Sequence, residues 1–247
     1  MPTLQDSLDQ DDKFIAVPHH TNAVSETYQK DGTPYWHPYT FTRGDNFHRL
    51  IEVFQTRGNM ERNEYTDAWR GWYYFGSSVQ DALAKGYKVG FTGGSDNHVS
   101  RPGRSTAALE AYGRIPPSTQ ALTGTWTNRI ERQSIWQALY DRHTWAVWDT
   151  RALVYFTIND AQAGEKIVVD SSTALSARIK MSAEDSLQSL EIVSEGKTVW
   201  INSIDELDFD ISVDLGQARQ STHFYLRALQ RNGGIIYASP VFVEVNP

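Results

Sequence analysis

The chain has 247 residues, 40% hydrophobic and 21% charged, and a net charge of −7 at pH 7; this is a soluble globular composition, enough for one large domain or two ordinary ones, and its acidic balance argues against nucleic acid as a generic partner. There is no cysteine, so disulfides and thiolate metal sites are excluded, and a bound metal would be held by His, Asp or Glu, which points to zinc, iron or manganese. No apolar run reaches membrane-spanning length and no basic segment followed by an apolar stretch opens the chain, so neither a membrane partner nor a signal peptide is expected; the compartment stays open, a periplasmic or secreted full-length form included.

In chain order, Leu4 and Leu8 mark a short polar helix. Phe14-Ile15-Ala16-Val17 is an apolar run ended by Pro18 and predicts a buried strand. His19-His20-Thr21 follows directly. A histidine after a buried strand and a Pro turn lies where ligand-binding groups collect in parallel α/β folds; the alternative is an ordinary loop histidine. Leu50-Ile51-Glu52-Val53-Phe54 predicts a second strand. Glu52 sits between two apolar residues there, and a carboxylate in a buried strand is costly unless it is paired or binds a cation. Ser77 to Gly86 predicts a helix that Ser77 can cap, with Val79, Ala82 and Leu83 as its apolar stripe. Tyr87 to Thr92 predicts the next strand, and Ser95-Asp96-Asn97-His98 follows it. Residues two apart in extended chain point to the same side, so Asp96 and His98 would present an oxygen and a nitrogen ligand to one spot. Helix then strand, repeated, predicts parallel β/α units. Residues 99–127, rich in Gly, Pro, Ser and Thr, read as a long ordered loop. Asn128 to Arg142 predicts a helix with Ile130, Ile135, Ala138 and Leu139 on its apolar side. Clustered aromatics such as Tyr35-Trp36-His37-Pro38-Tyr39 and Trp69 to Tyr74 suit either loop anchoring or an aromatic-walled cleft.

After about residue 147 the pattern changes. Leu153 to Ile158 predicts a strand stopped by Asn159-Asp160. Further strands are expected over 175–181, 187–193, 198–201, 209–213, 223–229 and 235–245. Leu175, Ala177, Ile179 and Met181 alternate with Ser176, Arg178 and Lys180. Asn232-Gly233-Gly234 is a hairpin signal. Short alternating strands with polar turns predict an antiparallel β-sandwich.

These residues resemble the metallohydrolases of the PHP (polymerase and histidinol phosphatase) superfamily, in the branch with a C-terminal β-sandwich. The segments that carry the resemblance are Ile15 to His20, Ile51 to Glu61, Val79 to His98, Arg101-Pro102-Gly103, Ala138 to Ala146 and Phe156 to Asn159. The resemblance implies an α/β plus all-β fold: the C-terminal portion of a distorted β/α barrel over residues 1–150, then a β-sandwich over residues 151–247. It implies one or more divalent ions at the strand ends. His19, Asp96 and His98 map to ligands, and Glu52 to a ligand or a group close to the metals. His20 is the alternative to His19, and Glu61 is a further acid of the same motif. The family's N-terminal His-x-His pair has no counterpart in Met1–Asp12. A C-terminal fragment, one half of a split protein completed by an N-terminal chain, or a reduced, self-associating relative is therefore expected.

The implied activity is hydrolysis of a small phosphoester, or a carboxyl or carbamate ester, by metal-activated water, with Asp96 and Glu52 as the catalytic carboxylates. Arg101 or Arg104 could hold an anionic substrate group, and His37 and His48 are candidates for supporting roles. The alternative is a non-catalytic binding or scaffold protein whose β-sandwich holds a partner or a glycan.

Overall fold

The computed structural model describes residues 14–25, 30, 32, 39–42, 48–55, 58–63, 71–73, 75–96 and 121–246. Strands dominate. The first part holds β1 (Ala23–Ser25), β2 (Leu50–Gln55), β3 (Gly58–Asn59), β4 (Gly71–Tyr73), helix α1 (Val79–Ala84) and β5 (Gly90–Gly93). Then come β6 (Leu122–Thr125), α2 (Arg132–Tyr140), β7 (Thr144–Trp148), β8 (Leu153–Ile158), β9 (Ala161–Gln162) and β10 (Lys166–Val169). The chain closes with β11 (Ala174–Ser182), β12 (Leu187–Ser194), β13 (Lys197–Ile204), β14 (Asp208–Gln217), β15 (Thr222–Gln230) and β16 (Ile235–Val245).

The main body is a pair of packed sheets. One has the order β13-β12-β15-β16-β7-β6, with β10 added parallel to β16; the other has the order β14-β11-β8-β9. In β11 the odd-numbered residues 175–181 are buried and their neighbours exposed, as half-buried strands require. Ile179 faces Phe156 on one side and Ile211 on the other. Their inner faces meet Leu190, Ile192, Leu226, Ile236 and Trp145 of the larger sheet in one apolar core. β6 and β7 belong to that larger sheet, so it includes strands from both sides of the boundary that the resemblance implies at residues 150/151.

β15 and β16 are buried along most of their length, because the larger sheet is covered on both faces. Its second face carries Val193, Tyr225, Tyr237 and Ala146, which pack on Ile51, Phe54, Phe91 and Leu83 from the first part of the chain. That first part contains one parallel unit: β2 and β5 pair in parallel, with α1 between them in sequence. β3 returns antiparallel on the other edge of β2.

The expected β/α barrel is corrected by these pairings. Among the described residues there are only two helices, and the parallel pairing of the first part stops at β5 and a single bridge, Ala16 to His48. The next described strand after β5 is β6, which pairs antiparallel with β7. The apolar runs and the helix between them were a valid sign of one β-α-β unit. Nothing in such a local pattern says how many follow. The buried strand expected over 14–17 is limited to that bridge, with Val17 44% exposed. Leu122–Thr125, expected in a loop, is a strand. The helix expected from Asn128 starts at Arg132. Leu4 and Leu8 lie outside the described residues.

The helix expected over 77–86 forms as α1, but Ser78 caps it, not Ser77. The Ser78 hydroxyl accepts from the Asp81 backbone N–H (3.1 Å), and the Asp81 carboxylate accepts from the Ser78 backbone N–H (2.9 Å). Burial alone would raise the Asp81 pKa, but the hydrogen bonds from Ser78 and Asn63 outweigh it and hold the carboxyl below its ordinary value. Ser78→Ala should therefore cost about 0.5–2 kcal/mol in urea unfolding; an unchanged midpoint would mean that tertiary packing alone holds α1.

Candidate metal centre

Three neighbouring segments running the same way deliver the site. The backbone N–H of Glu52 donates to the Pro18 carbonyl (3.3 Å), which lays residues 16–18 along the start of β2. β5 lies parallel on the other side. The chain ends beyond these segments bring His19, His20 and Asp96 together. The ligand atoms of these three residues lie within 4.8 Å of one another. His20 Nε2 is 3.2 Å from Asp96 Oδ2, and His19 Nε2 is 3.7 Å from Asp96 Oδ1. The two imidazoles meet edge to face at 3.7 Å between centroids.

The backbone is bent to make this possible. His20 (φ 54°) and Asp96 (φ 45°) both occupy the left-handed region. Non-glycine residues there carry a conformational cost, and such positions concentrate at functional sites. The Asp96 side chain is only 6% exposed. A carboxylate held that far from water is stabilised by a nearby cation or by accepted hydrogen bonds.

β2 supplies a second layer. His19 Nδ1 lies 2.7 Å from Glu52 Oε2. With its Nδ1–H donating to that carboxylate, His19 presents the lone pair of Nε2 towards Asp96. Gln55, fully buried, places its amide 2.7 Å from His20 Nδ1. With the amide nitrogen donating, His20 carries its proton on Nε2; a half-turn of the amide reverses this and bares Nε2. A carboxylate or carbonyl behind the second ring nitrogen is the usual support of a metal-binding histidine. The His19, His20 and Asp96 donors, two nitrogens and one oxygen, suit zinc, iron or manganese.

Glu52 and Gln55 are three residues apart, which in a regular strand would put them on opposite faces. The β2–β5 register breaks between them: Glu52 faces Thr92, and Phe54 faces the next residue, Gly93. This β-bulge brings both side chains to the histidines. Glu52 is legible in the sequence as a carboxylate in an apolar strand; Gln55 is not, because an uncharged residue beyond the apolar run gives no such signal. Gly94 leaves the room for Glu52: a Cβ there would stand 2.7 Å from Oε1.

Of the other expected residues, His98, Arg101, Arg104 and His37 lie outside the described residues. Glu61 is described, and it belongs to a different cluster. It is fully buried and accepts from Tyr225 Oη (2.6 Å), Tyr237 Oη (2.6 Å) and Arg227 Nη1 (2.8 Å), all on the larger sheet. His48 stands against the Tyr39 hydroxyl, Nε2 to Oη 2.5 Å, among aromatic rings. No helix among the described residues is long and apolar enough to cross a membrane.

No family model matches the chain. It is similar to uncharacterized proteins of Chlamydia muridarum (24% identical, 81% of this chain and 35% of that protein) and Chlamydia trachomatis (25% identical, 95% of this chain and 39% of that protein). A protein of Chlamydia pneumoniae is 23% identical over 81% of this chain. The chain thus spans little more than a third of the length of these relatives. Among solved structures, a fibronectin(III)-like module of Clostridium thermocellum CbhA covers 37% of this chain and 98% of its own (17% identity, TM-score 0.26). An engineered protein covers 79% of this chain and 41% of its own (13% identity, TM-score 0.26). Superpositions this loose define neither fold nor function.

Proposed function

We propose that this chain is a metal-dependent hydrolase of small phosphoesters or of carboxyl or carbamate esters. The observation that carries the reading is the convergence of His19, His20 and Asp96, with Glu52 and Gln55 behind the two imidazoles. When bound, a divalent ion would supply a water activated towards hydroxide and a positive charge near the scissile group. The chain's own part is positional and protonic. Glu52 keeps the proton of His19 on Nδ1. Asp96 offers a carboxylate oxygen, and its buried negative charge favours a cation at the site. Gln55 sets which nitrogen of His20 is bare.

Elemental analysis for zinc, iron and manganese, followed by assay on p-nitrophenyl phosphate and p-nitrophenyl acetate, tests it. Glu52→Gln should keep the fold and weaken metal affinity about 10–100-fold, as loss of a carboxylate behind a ligating histidine does. Metal affinity equal to that of the unaltered chain would remove Glu52 from the site.

A further inference from the structure

Far from the histidines in sequence, Trp126 follows β6 and separates two cavities. On one side lies a groove of about 750 Å³, whose walls include Leu153, Tyr155, Arg178, Lys180 and Asp210. On the other lies a cavity of about 390 Å³, lined in part by Asn128, Gln133, Gln137, Asp141 and His143. Trp126 lines both. We propose that the track across Trp126 binds a neutral oligosaccharide.

Three properties support this occupant. The first is a fixed aromatic platform. The Trp126 indole N–H donates to the Val154 carbonyl (2.6 Å), and its ring packs on Trp145 with centroids 5.2 Å apart and against Tyr155 at 6.0 Å. The ring is thereby immobilised, yet 36% of the residue remains exposed. A rigid, partly exposed aromatic face suits the C–H-bearing face of a pyranose ring and costs little ordering entropy on binding. The second is charge. Arg178 and Lys180 are balanced in the groove by Asp208 and Asp210, and Arg178 forks onto Asp210 with two hydrogen bonds of 2.8 and 2.7 Å. Among the described residues the charges of this groove cancel, and the second cavity adds only Asp141, which disfavours an anionic ligand. The groove's adjacent donors and acceptors match hydroxyl groups, which donate and accept at once. The third is the second cavity, where Asn128, Gln133 and Gln137 add neutral donors and acceptors beyond the ring. Polar groups on both flanks of one aromatic platform fit an extended chain of sugars better than a single small molecule.

The site shares no residue with the candidate metal centre, so the two readings stand or fall apart. The full chain, with chelator present, is titrated with maltoheptaose, cellohexaose, xylohexaose and chitohexaose, read by calorimetry and by tryptophan fluorescence. At least one should bind. Trp126→Ala should weaken that binding about tenfold or more, as loss of a central aromatic anchor does. Because Trp126 also packs on Trp145, the exposed variants Asp210→Ala and Gln133→Ala accompany it; each should weaken binding several-fold at unchanged melting temperature. The proposal is overturned if none of the four sugars binds at up to about 10 mM, the range of weak single-site recognition. It is equally overturned if binding survives all three substitutions, or if hexagalacturonate, a polyanion, binds better than every neutral sugar.

Discussion

Asp96→Ala should strip the protein of bound metal. The unaltered chain, purified and dialysed, is expected to carry about one equivalent of zinc, iron or manganese, and the variant only background, because metal affinity rests on the full donor set. Asp96 stands apart from the other two donors: it is the anionic one and it faces both imidazoles, at 3.2 and 3.7 Å. Its removal also leaves two histidines with no carboxylate between them. Any hydrolysis of p-nitrophenyl phosphate or acetate should fall with the metal. Asp96→Asn separates charge from shape: it fills the same space and should lose most of the metal as well. If Asp96→Ala retained full occupancy, the ion would be held elsewhere and the His19–His20–Asp96 cluster would be a structural polar contact between two segments.

Part of the strand pattern after residue 150 was legible in the sequence, because apolar runs bounded by polar turns mark where strands begin and end. β8 and β16 begin and end where the sequence predicts, and β11 shows the expected alternation. The failure lay where a local pattern stood for a global one. β2, α1 and β5 form the parallel unit that the pattern predicts, but their packing against β7 and β16 is encoded by no periodicity in residues 50–93. The same holds for individual residues. Glu52 announced itself by its cost in an apolar strand. The placement of Gln55 depends on a bulge, which is visible only as a break in register between two strands. Glu61 looked like an acid beside Glu52, yet its ionic partner, Arg227, is 166 residues away. A buried carboxylate in sequence signals that something compensates it; it does not say whether that is a metal or an arginine.

Arg227→Met should destabilise the fold by about 3–5 kcal/mol, the loss expected when one partner of a buried ion pair is removed and the other keeps its charge. On the larger sheet Arg227 stands opposite Glu191 of β12 and Tyr237 of β16, forming a polar row on the face that meets β2 and α1. Glu61 closes this row from the other layer. It is wholly buried, and its backbone carbonyl accepts from the N–H of Gln80 in α1. Burial alone would lower the Arg227 pKa, but Glu61 and Glu191 more than reverse this and keep the guanidinium charged. Burial and the Glu61 charge both raise the Tyr225 pKa, so its hydroxyl stays a donor. Glu191 adds a pH dependence. Burial alone would raise its pKa, but the hydrogen bonds from Arg227 and Thr198 outweigh this and leave it below the ordinary value. A carboxyl depressed in the folded state stabilises above its unfolded pKa and loses that contribution as pH falls through the folded one. The gap in urea stability between the unaltered chain and Arg227→Met should therefore be full at pH 7 and narrow below about pH 4. The double variant Glu61→Leu/Arg227→Met should recover part of the loss, since the wholly buried Glu61 charge is gone and only the partly exposed Glu191 is left without its arginine. A single variant losing under about 1 kcal/mol would place this row among the weak surface pairs. The two layers would then be held chiefly by the apolar core that Ile51, Phe54, Leu83 and Phe91 form with Ala146, Val193, Tyr225 and Tyr237.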